Sequence, residues 1–352
     1  MVVGQLLLIR ADASAQIGTG HVMRCLALAQ AWQDAGGQTC FVLANPAPSL
    51  ESRLQAEGMV IRHLVGIDAG TAEDAEATAV IAHEKKANWI VIDGYHFGAG
   101  YQQQLKTAGF RLLFIDDYGH ADHYYADIVL NQNIYAQADL YPSREPYTRL
   151  LLGIEYVLLR REFWAWRDWQ RPIPDKARKI LVTLGGSDPD NVTLIMIQAL
   201  QQLPDDDWTA IVLVGGQNPH YQELATAVVN DPRLQLRQNA TNMPELMAWA
   251  DIAISAGGST CWELSFMQLT SILIILAENQ EPVARELATK GMFNNLGWYK
   301  FLKILTIRDA VASLFNYYEP NKKDQGINRL LVDGYGSNRV LQAMKVQYAY
   351  IA

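Results

Sequence analysis

Leu6-Leu7-Leu8-Ile9-Arg10 reads as a buried strand, Gly18-Thr19-Gly20-His21 as a tight turn, and Val22 to Ala35 as a helix. The order matters more than any single residue. Glycines in such a turn let backbone come close to a ligand, and the turn delivers the chain to a helix N-terminus. That end carries unpaired N–H groups and a partial positive charge, which suit a phosphate. His21 stands at the mouth of the turn, where a side chain that takes a proton near neutral pH can act as a general base. The same residues also suit a plain strand-to-helix turn capped by a histidine.

Working outward, the pattern repeats. Strands are expected at 5–10, 39–43, 89–92, 112–115 and 128–130, with helices at 22–35, 48–57, 72–85 and 100–107. The second half shows strands at 179–183, 209–214, 234–237, 252–255 and 271–275. Its helices fall at 191–200, 221–229, 243–250, 261–266 and 281–290. Such alternation predicts an α/β protein with parallel sheets wrapped by helices. A join is expected near 160–178, where Phe163, Trp164, Trp166 and Trp169 precede Pro172 and Pro174. The expected organisation is two doubly wound, Rossmann-like domains, 1–160 and 161–352, facing across a cleft. It leaves room for the last helix to pack back on the N-terminal domain. In such folds ligands sit beyond the carboxyl ends of the strands.

Bulk composition narrows the partners. The chain has 352 residues, enough for two cores, with 50% hydrophobic and 19% charged residues. The formal net charge is -8 and no Lys/Arg-rich block occurs, which argues against nucleic acid and against anionic membrane surfaces. Cys25, Cys40 and Cys261 make an odd count without a CxxC, so neither a disulfide framework nor a zinc site is indicated. A reducing, cytoplasmic setting is expected, with no signal peptide and no membrane insertion. Nothing in the composition speaks to oligomeric state.

Four glycine-bearing turns each follow a strand: Gly18 to His21, Gly185-Gly186-Ser187-Asp188, Gly215-Gly216-Gln217-Asn218 and Gly257-Gly258-Ser259-Thr260. No Walker lysine follows any of them, and Gly18-Thr19-Gly20 does not extend to a dinucleotide fingerprint. The fourth turn opens a helix carrying Glu263. Its backbone and hydroxyls suit a diphosphate, and Glu263 suits two ribose hydroxyls. Glu263 equally suits the role of a first-turn carboxylate stabilised by the helix dipole. Tyr95, in Asp93-Gly94-Tyr95-His96, orients either His21 or a substrate oxygen, or simply lines a wall. Asp116, Asp117, His120, Asp122 and His123 resemble a metal cluster in composition only. They follow no recognised spacing, so no metal is expected, and Asp116 is expected to fix its own loop.

Taken together, these motifs resemble the nucleotide-sugar hydrolases of pseudaminic acid biosynthesis. That family removes UDP from UDP-2,4-diacetamido-2,4,6-trideoxy-β-L-altropyranose. It belongs with the GT-B glycosyltransferases and resembles the lipid II-forming N-acetylglucosaminyltransferase. The carrying residues are Arg10 to Ser14 with Gly18 to His21; Ile92 to Tyr95; Ile115 to Asp117; Leu130 to Asn133; Gly185 to Pro189; Ser255 to Thr260 with Trp262 and Glu263; Ala277 to Gln280; and Asp333 to Gly336 with Arg339. The resemblance implies His21 as general base and Tyr95 as its assistant. It implies contacts to the sugar or diphosphate from Asn279 and Gln280, a ribose contact from Glu263, and Asn218 near the nucleotide. Gly18, Gly20, Gly186, Ser187, Gly257, Gly258, Ser259 and Thr260 complete the implied substrate site. No cofactor is implied, and the expected partner is a UDP-sugar. Two positions depart from the family: Thr270 replaces a usual proline, and Glu278 replaces a common aspartate. The longer Glu278 side chain bears on which sugar is taken. Two other functions remain open, a GT-B glycosyltransferase using a UDP-sugar donor and a non-catalytic nucleotide-sugar binding protein.

Overall fold

Leu7, Leu8 and Ile9 decide how the first sheet is covered, because successive side chains of a strand point to opposite faces. In the computed structural model Leu7 and Ile9 enter one buried cluster and Leu8 enters another. Both faces of the strand are therefore packed, as a central parallel strand requires. The structure describes residues 2–14, 17–172, 174, 176–204, 206–216, 218–317 and 332–346.

The first unit comprises Met1–Ser14, Thr19–Arg161 and Gly334–Ala352; the second comprises Ala15–Gly18 and Glu162–Asp333. In the first, the chain runs β1 (Leu6–Ala11), α1 (Gly20–Asp34), β2 (Gln38–Leu43), α2 (Pro48–Ala56), β3 (Val60–His63), α3 (Ala72–Glu84) and β4 (Ala87–Asp93). It continues through α4 (Ala99–Thr107), β5 (Leu112–Ile115), β6 (Ile128–Asn131) and β7 (Arg149–Leu152). The sheet order is β3-β2-β1-β4-β5-β6-β7, and every neighbouring pair is parallel. One face is covered by α1 and α2, through Val22, Leu26, Trp32, Leu50 and Leu54. The other is covered by α3 and α4, through Ala75, Ala79, Tyr101 and Leu105. Each fully buried Leu or Phe here contributes about 1.5–3 kcal/mol against its exposed state.

The second unit repeats the scheme. Its elements are β8 (Lys179–Thr183), α5 (Val192–Gln201), β9 (Thr209–Val214), α6 (Tyr221–Val228), β10 (Leu234–Gln238), α7 (Met243–Trp249) and β11 (Ile252–Ala256). Then follow α8 (Thr260–Phe266), β12 (Thr270–Ile275), α9 (Glu281–Thr289), β13 (Phe293–Trp298) and α10 (Ile304–Tyr317). The order is β10-β9-β8-β11-β12-β13, again all parallel. A last helix, α11 (Gly336–Val346), packs on α1 of the first unit and adds Val340, Leu341 and Met344 to its core.

The Trp-rich segment after Arg161 is tied to the second unit. Phe163 is buried edge-on to Phe266, with ring centroids 6.1 Å apart. The Arg171 guanidinium donates to the carbonyls of Met247 at 2.6 Å, Ala250 at 2.7 Å and Met267 at 2.9 Å. Those carbonyls lie at the C-terminal ends of α7 and α8, where a cation satisfies unpaired acceptors and the helix dipole at once.

Both sheets share one consequence. The order reverses between β1 and β4 in the first, and between β8 and β11 in the second. Chain leaving the two central strands diverges to opposite faces there and opens a crevice at the carboxyl ends. Loops following β1, β4, β8 and β11 are therefore the ones placed to hold ligands.

Candidate active site

At the first switch point, His21 enters α1 as its second residue and Asp93 ends β4. The two meet: His21 Nδ1–H donates to Asp93 Oδ1 at 2.6 Å. The proton assignment follows from the carboxylate. Burial opposes the charge on Asp93, but the charge of Arg24 and the hydrogen bonds from Arg24 and His21 outweigh it and hold the group well below the usual carboxylate range. An ionised carboxylate only accepts, so Nδ1 carries the hydrogen, and in the neutral ring the lone pair is then on Nε2. This is the base-and-orienter arrangement found wherever a carboxylate fixes a histidine for proton transfer.

Arg24 lies one turn beyond His21 on the same face of α1. Its Nε donates to Asp93 Oδ2 at 2.6 Å, and Nη2 donates to Asp93 Oδ1 at 2.7 Å. The third arm, Nη1, donates to Asp117 Oδ1 at 2.7 Å. Asp117, just past β5, also accepts from Asn133 Nδ2 at 2.8 Å and from the Tyr95 hydroxyl at 2.6 Å. Against the cost of burial, the Arg24 charge keeps Asp117 below the usual carboxylate range. The Asn131 amide donates to the Asp117 carbonyl and to the Tyr141 hydroxyl, both at 2.8 Å.

Tyr95 is thus placed beside His21, with its hydroxyl on Asp117. The rings stand edge to face, 4.9 Å between centroids and 83° between planes. Of the expected roles for Tyr95, orientation of His21 through Nδ1 gives way to Asp93, whose charge makes it the stronger acceptor. Asp116 serves its loop, as expected: Oδ1 accepts from the backbone of Tyr118 at 2.9 Å and Gly119 at 3.0 Å, and Oδ2 accepts from Tyr124. His120 Nδ1 also bonds Asp116, at 3.3 Å. Among the described residues no group of three or more His, Cys, Asp or Glu side chains is placed to hold a metal ion. Gly18 is half-buried with φ +72°, and Gly20 is the first residue of α1.

The second switch point is built from backbone. A Cβ on Gly215 would overlap the carbonyl of Gly186, so the turns after β8 and β9 touch through bare glycine. Ser187 is buried in the first of these turns. Asp188 spends both carboxylate oxygens on the N-terminus of α5, accepting from Val192 and Thr193 N–H at 2.8 Å each. Asn218 is buried in the β9 turn, and its Oδ1 accepts from the His220 N–H at 2.7 Å. Gly257 faces Gln280: a Cβ there would stand 3.1 Å from Gln280 Cβ and 3.2 Å from its carbonyl. Gln280 Oε1 in turn accepts from Leu276 N–H at 3.0 Å. Ser259 precedes α8, Thr260 opens it, and Glu263 follows in its first turn, half-buried. Asn279 lies in the short turn leading into α9, half-buried beside Gln280. The expected residues therefore fall into two groups, His21 with Tyr95 at one switch point, and Gly186, Ser187, Asn218, Gly257 to Glu263, Asn279 and Gln280 at or near the other.

Sequence reasoning assigned no role to Asp93, Arg24, Asp117 or Asn133. A signal for two of them existed. Asp93 closes an apolar strand with the one charge in Trp89-Ile90-Val91-Ile92-Asp93, and Arg24 falls three residues after His21 in a run otherwise apolar through Leu28. Asp117 and Asn133 join only through the fold.

Known proteins resemble the chain over nearly its whole length. Residues 180–325 match the model of the glycosyltransferase family 28 C-terminal domain. The chain is 27% identical over 288 residues to the UDP-2,4-diacetamido-2,4,6-trideoxy-β-L-altropyranose hydrolase of Campylobacter jejuni, covering 81% of this chain and 97% of that protein. It is 25% identical over 340 residues to the spore coat polysaccharide biosynthesis protein SpsG of Bacillus subtilis, covering 96% and 97%. Among solved structures, MurG of Acinetobacter baumannii superposes with a TM-score of 0.62 over 97% of this chain and 99% of that one, at 15% identity. The resemblance read from the motifs holds, and the fold is that of the GT-B glycosyltransferases, two Rossmann-like domains of parallel sheet and flanking helices.

Proposed function

We propose that the chain hydrolyses a UDP-linked diacetamido-trideoxy sugar, UDP-2,4-diacetamido-2,4,6-trideoxy-β-L-altropyranose or a close analogue, releasing UDP. The observation that carries the reading is the buried Asp93–His21 pair at a switch point, with Nε2 left as the basic nitrogen. His21 takes a proton from water as the water oxygen attacks the anomeric carbon. The bond from that carbon to the diphosphate oxygen breaks, and UDP leaves with the electron pair. One displacement inverts the anomeric centre. Diphosphate is a weakly basic leaving group, so no separate acid is needed.

The second unit supplies the nucleotide contacts in this reading. Backbone N–H groups and hydroxyls at Gly258, Ser259 and Thr260 meet the diphosphate, with Gly257, whose N–H is held by the Ile274 carbonyl, and Gly186 and Ser187 alongside. Glu263 accepts from the ribose hydroxyls, Asn218 lies by the nucleotide, and Asn279 with Gln280 contacts the diphosphate or sugar. Tyr95 holds a sugar oxygen or the attacking water. In this reading the diphosphate charge falls to protein donors. The resemblance and the Campylobacter jejuni relative support hydrolysis. The match to a glycosyltransferase domain supports a second reading, in which an acceptor hydroxyl takes the place of water.

The test is a panel of UDP-sugars incubated with the protein in EDTA and without acceptor. Free UDP and free sugar are expected from one of them at about 1–10³ per second. Turnover only after addition of an alcohol acceptor would replace hydrolysis with transfer.

A further inference from the structure

The His21 pair is embedded in a larger buried set of charges. Asp93 from β4 and Asp117 from the end of β5 are both depressed as acids, and Arg24 lies between them with all three arms engaged. Arg24 Nη2 also approaches His21 Nδ1 at 3.4 Å. With His21 neutral, two carboxylates face one guanidinium and the set carries one net negative charge. With His21 protonated, the set is neutral. A buried group of charges is least costly when balanced, and Arg24 supplies the positive charge that lies between the two carboxylates.

We propose that Arg24 and Asp117 are positioning residues that together set the proton affinity of His21 and lock Tyr95 beside it. The inference rests on the hydrolytic reading only for its kinetic consequence. The geometry has two parts. Arg24 grips Asp93 with two parallel bonds, which fixes the carboxylate plane against which His21 Nδ1–H is aligned. Its third arm fixes Asp117, whose other oxygen holds the Tyr95 hydroxyl. Base and tyrosine are thereby coupled through one guanidinium. Other groups around the set are Cys25, whose thiol lies 3.5 Å from Asp93, and Asn133 on Asp117. Tyr135 feels the charges of Asp117, Asp116 and Arg24, Tyr141 bonds Asn131, and the Asp116–His120 pair lies on the following loop. Among these groups only His21 shares the Asp93 carboxylate with Arg24 and the Cys25 thiol.

The experiment titrates His21 by NMR of the labelled imidazole in the full chain, alongside the pH profile of kcat/KM. Asp117→Asn keeps the shape and removes one negative charge. His21 is expected to titrate about 1–2 pH units lower, with the acid limb of the profile moving with it. Arg24→Met removes the cation and should move both about as far upward. The double variant Arg24→Met with Asp117→Asn restores the resting charge and should return the midpoint to within about half a unit of the parent. Arg24→Lys keeps the charge but lacks the fork, so the midpoint should stay while kcat falls and KM does not. If Arg24→Met does not fold, Asp117→Asn and Arg24→Lys still decide. An unmoved His21 midpoint in Asp117→Asn overturns the proposal. So does an Arg24→Lys variant with unchanged kcat. The NMR midpoint needs no substrate, so failure of the hydrolytic reading would leave this test standing.

Discussion

The two switch points share a topology and differ in material. At the ends of β1, β4 and β5 the candidate site is made of charged and polar side chains locked to one another: His21, Arg24, Asp93, Asp117 and Tyr95. After β8 and β11 it is made of glycine backbone and small hydroxyls, with Gly215 pressed on Gly186 and Gly257 on Gln280. A preorganised charge set suits a step in which a proton moves. Bare backbone, which admits close approach, suits a diphosphate that must be held but not transformed. On the proposed reading the same strand order serves chemistry in one unit and binding in the other, because the order places the loops and the loop residues decide their use.

The division is broken most sharply at His21. His21→Asn should lower turnover by about 10²–10⁴-fold, the usual worth of a general base, while calorimetry finds UDP affinity within about twofold of the parent. Near-normal turnover would remove the base from the first unit. The converse change is Glu263→Ala. A lost charged hydrogen bond is worth about 1.5–3 kcal/mol, so UDP affinity should fall about 10–100-fold while kcat at saturation changes little. An unchanged dissociation constant would leave Glu263 as a helix-end charge.

A smaller effect is expected at the glycine contact. Gly215→Ala forces two backbones apart at Gly186, and overpacking of this kind costs about 1–3 kcal/mol. Hydrogen exchange should show β8 and β9 opening more readily, with β1 and β4 unaffected. Loss of protection in both units alike would show that the glycine contact is not a local device.

Acid separates the units by charge. In the first, Asp12, Asp74, Asp93, Asp116 and Asp117 are all held below the usual range. Asp12 shows the balance: burial works against its charge, yet a bond to His96 and the charge of Arg10 bring it to about 2. A carboxyl depressed by folding adds stability above its unfolded value near 3.8, and that stability is lost as pH falls through the folded value. In the second unit, Asp231 is the described aspartate held low, mainly by its bonds to Arg233. Between about pH 4 and pH 2, then, β1 and β4 should lose exchange protection before β8 and β11. His120 runs the other way: burial opposes its charge, but its bond to Asp116 and that carboxylate's charge outweigh this and raise it, so its contribution is complete below about 6.5 and fades as pH rises through the folded value. Simultaneous acid unfolding of both units would count against a charge set peculiar to the first.

Much of this architecture was legible in the residues, and the gaps have physical causes. The expected central strands β1, β4, β8 and β11 are apolar runs buried on both faces, so their signal is strong. Strand β3 was not anticipated, because Val60–His63 is largely exposed at the sheet edge and lacks a core face to pattern it. Strand β13 was hidden too, since Phe293–Trp298 carries two asparagines and Gly297 at its own edge. Edge strands are set by the neighbour they pair with more than by propensity. At the site, His21 and the glycine turns announced themselves by position after strands. The bond partners did not, because Asp93 is 72 residues from His21, and Asp117 is 93 from Arg24. Only the parallel order of β1, β4 and β5 brings those strand ends together.

The central claim, water delivered by His21 to the anomeric carbon, is tested most directly by NMR during the first minutes of UDP-sugar turnover without acceptor. Free sugar is expected first as the anomer inverted from the substrate, appearing together with UDP and before mutarotation mixes the two forms. First appearance of the retained anomer, or release of UDP only when an acceptor is added, would contradict it.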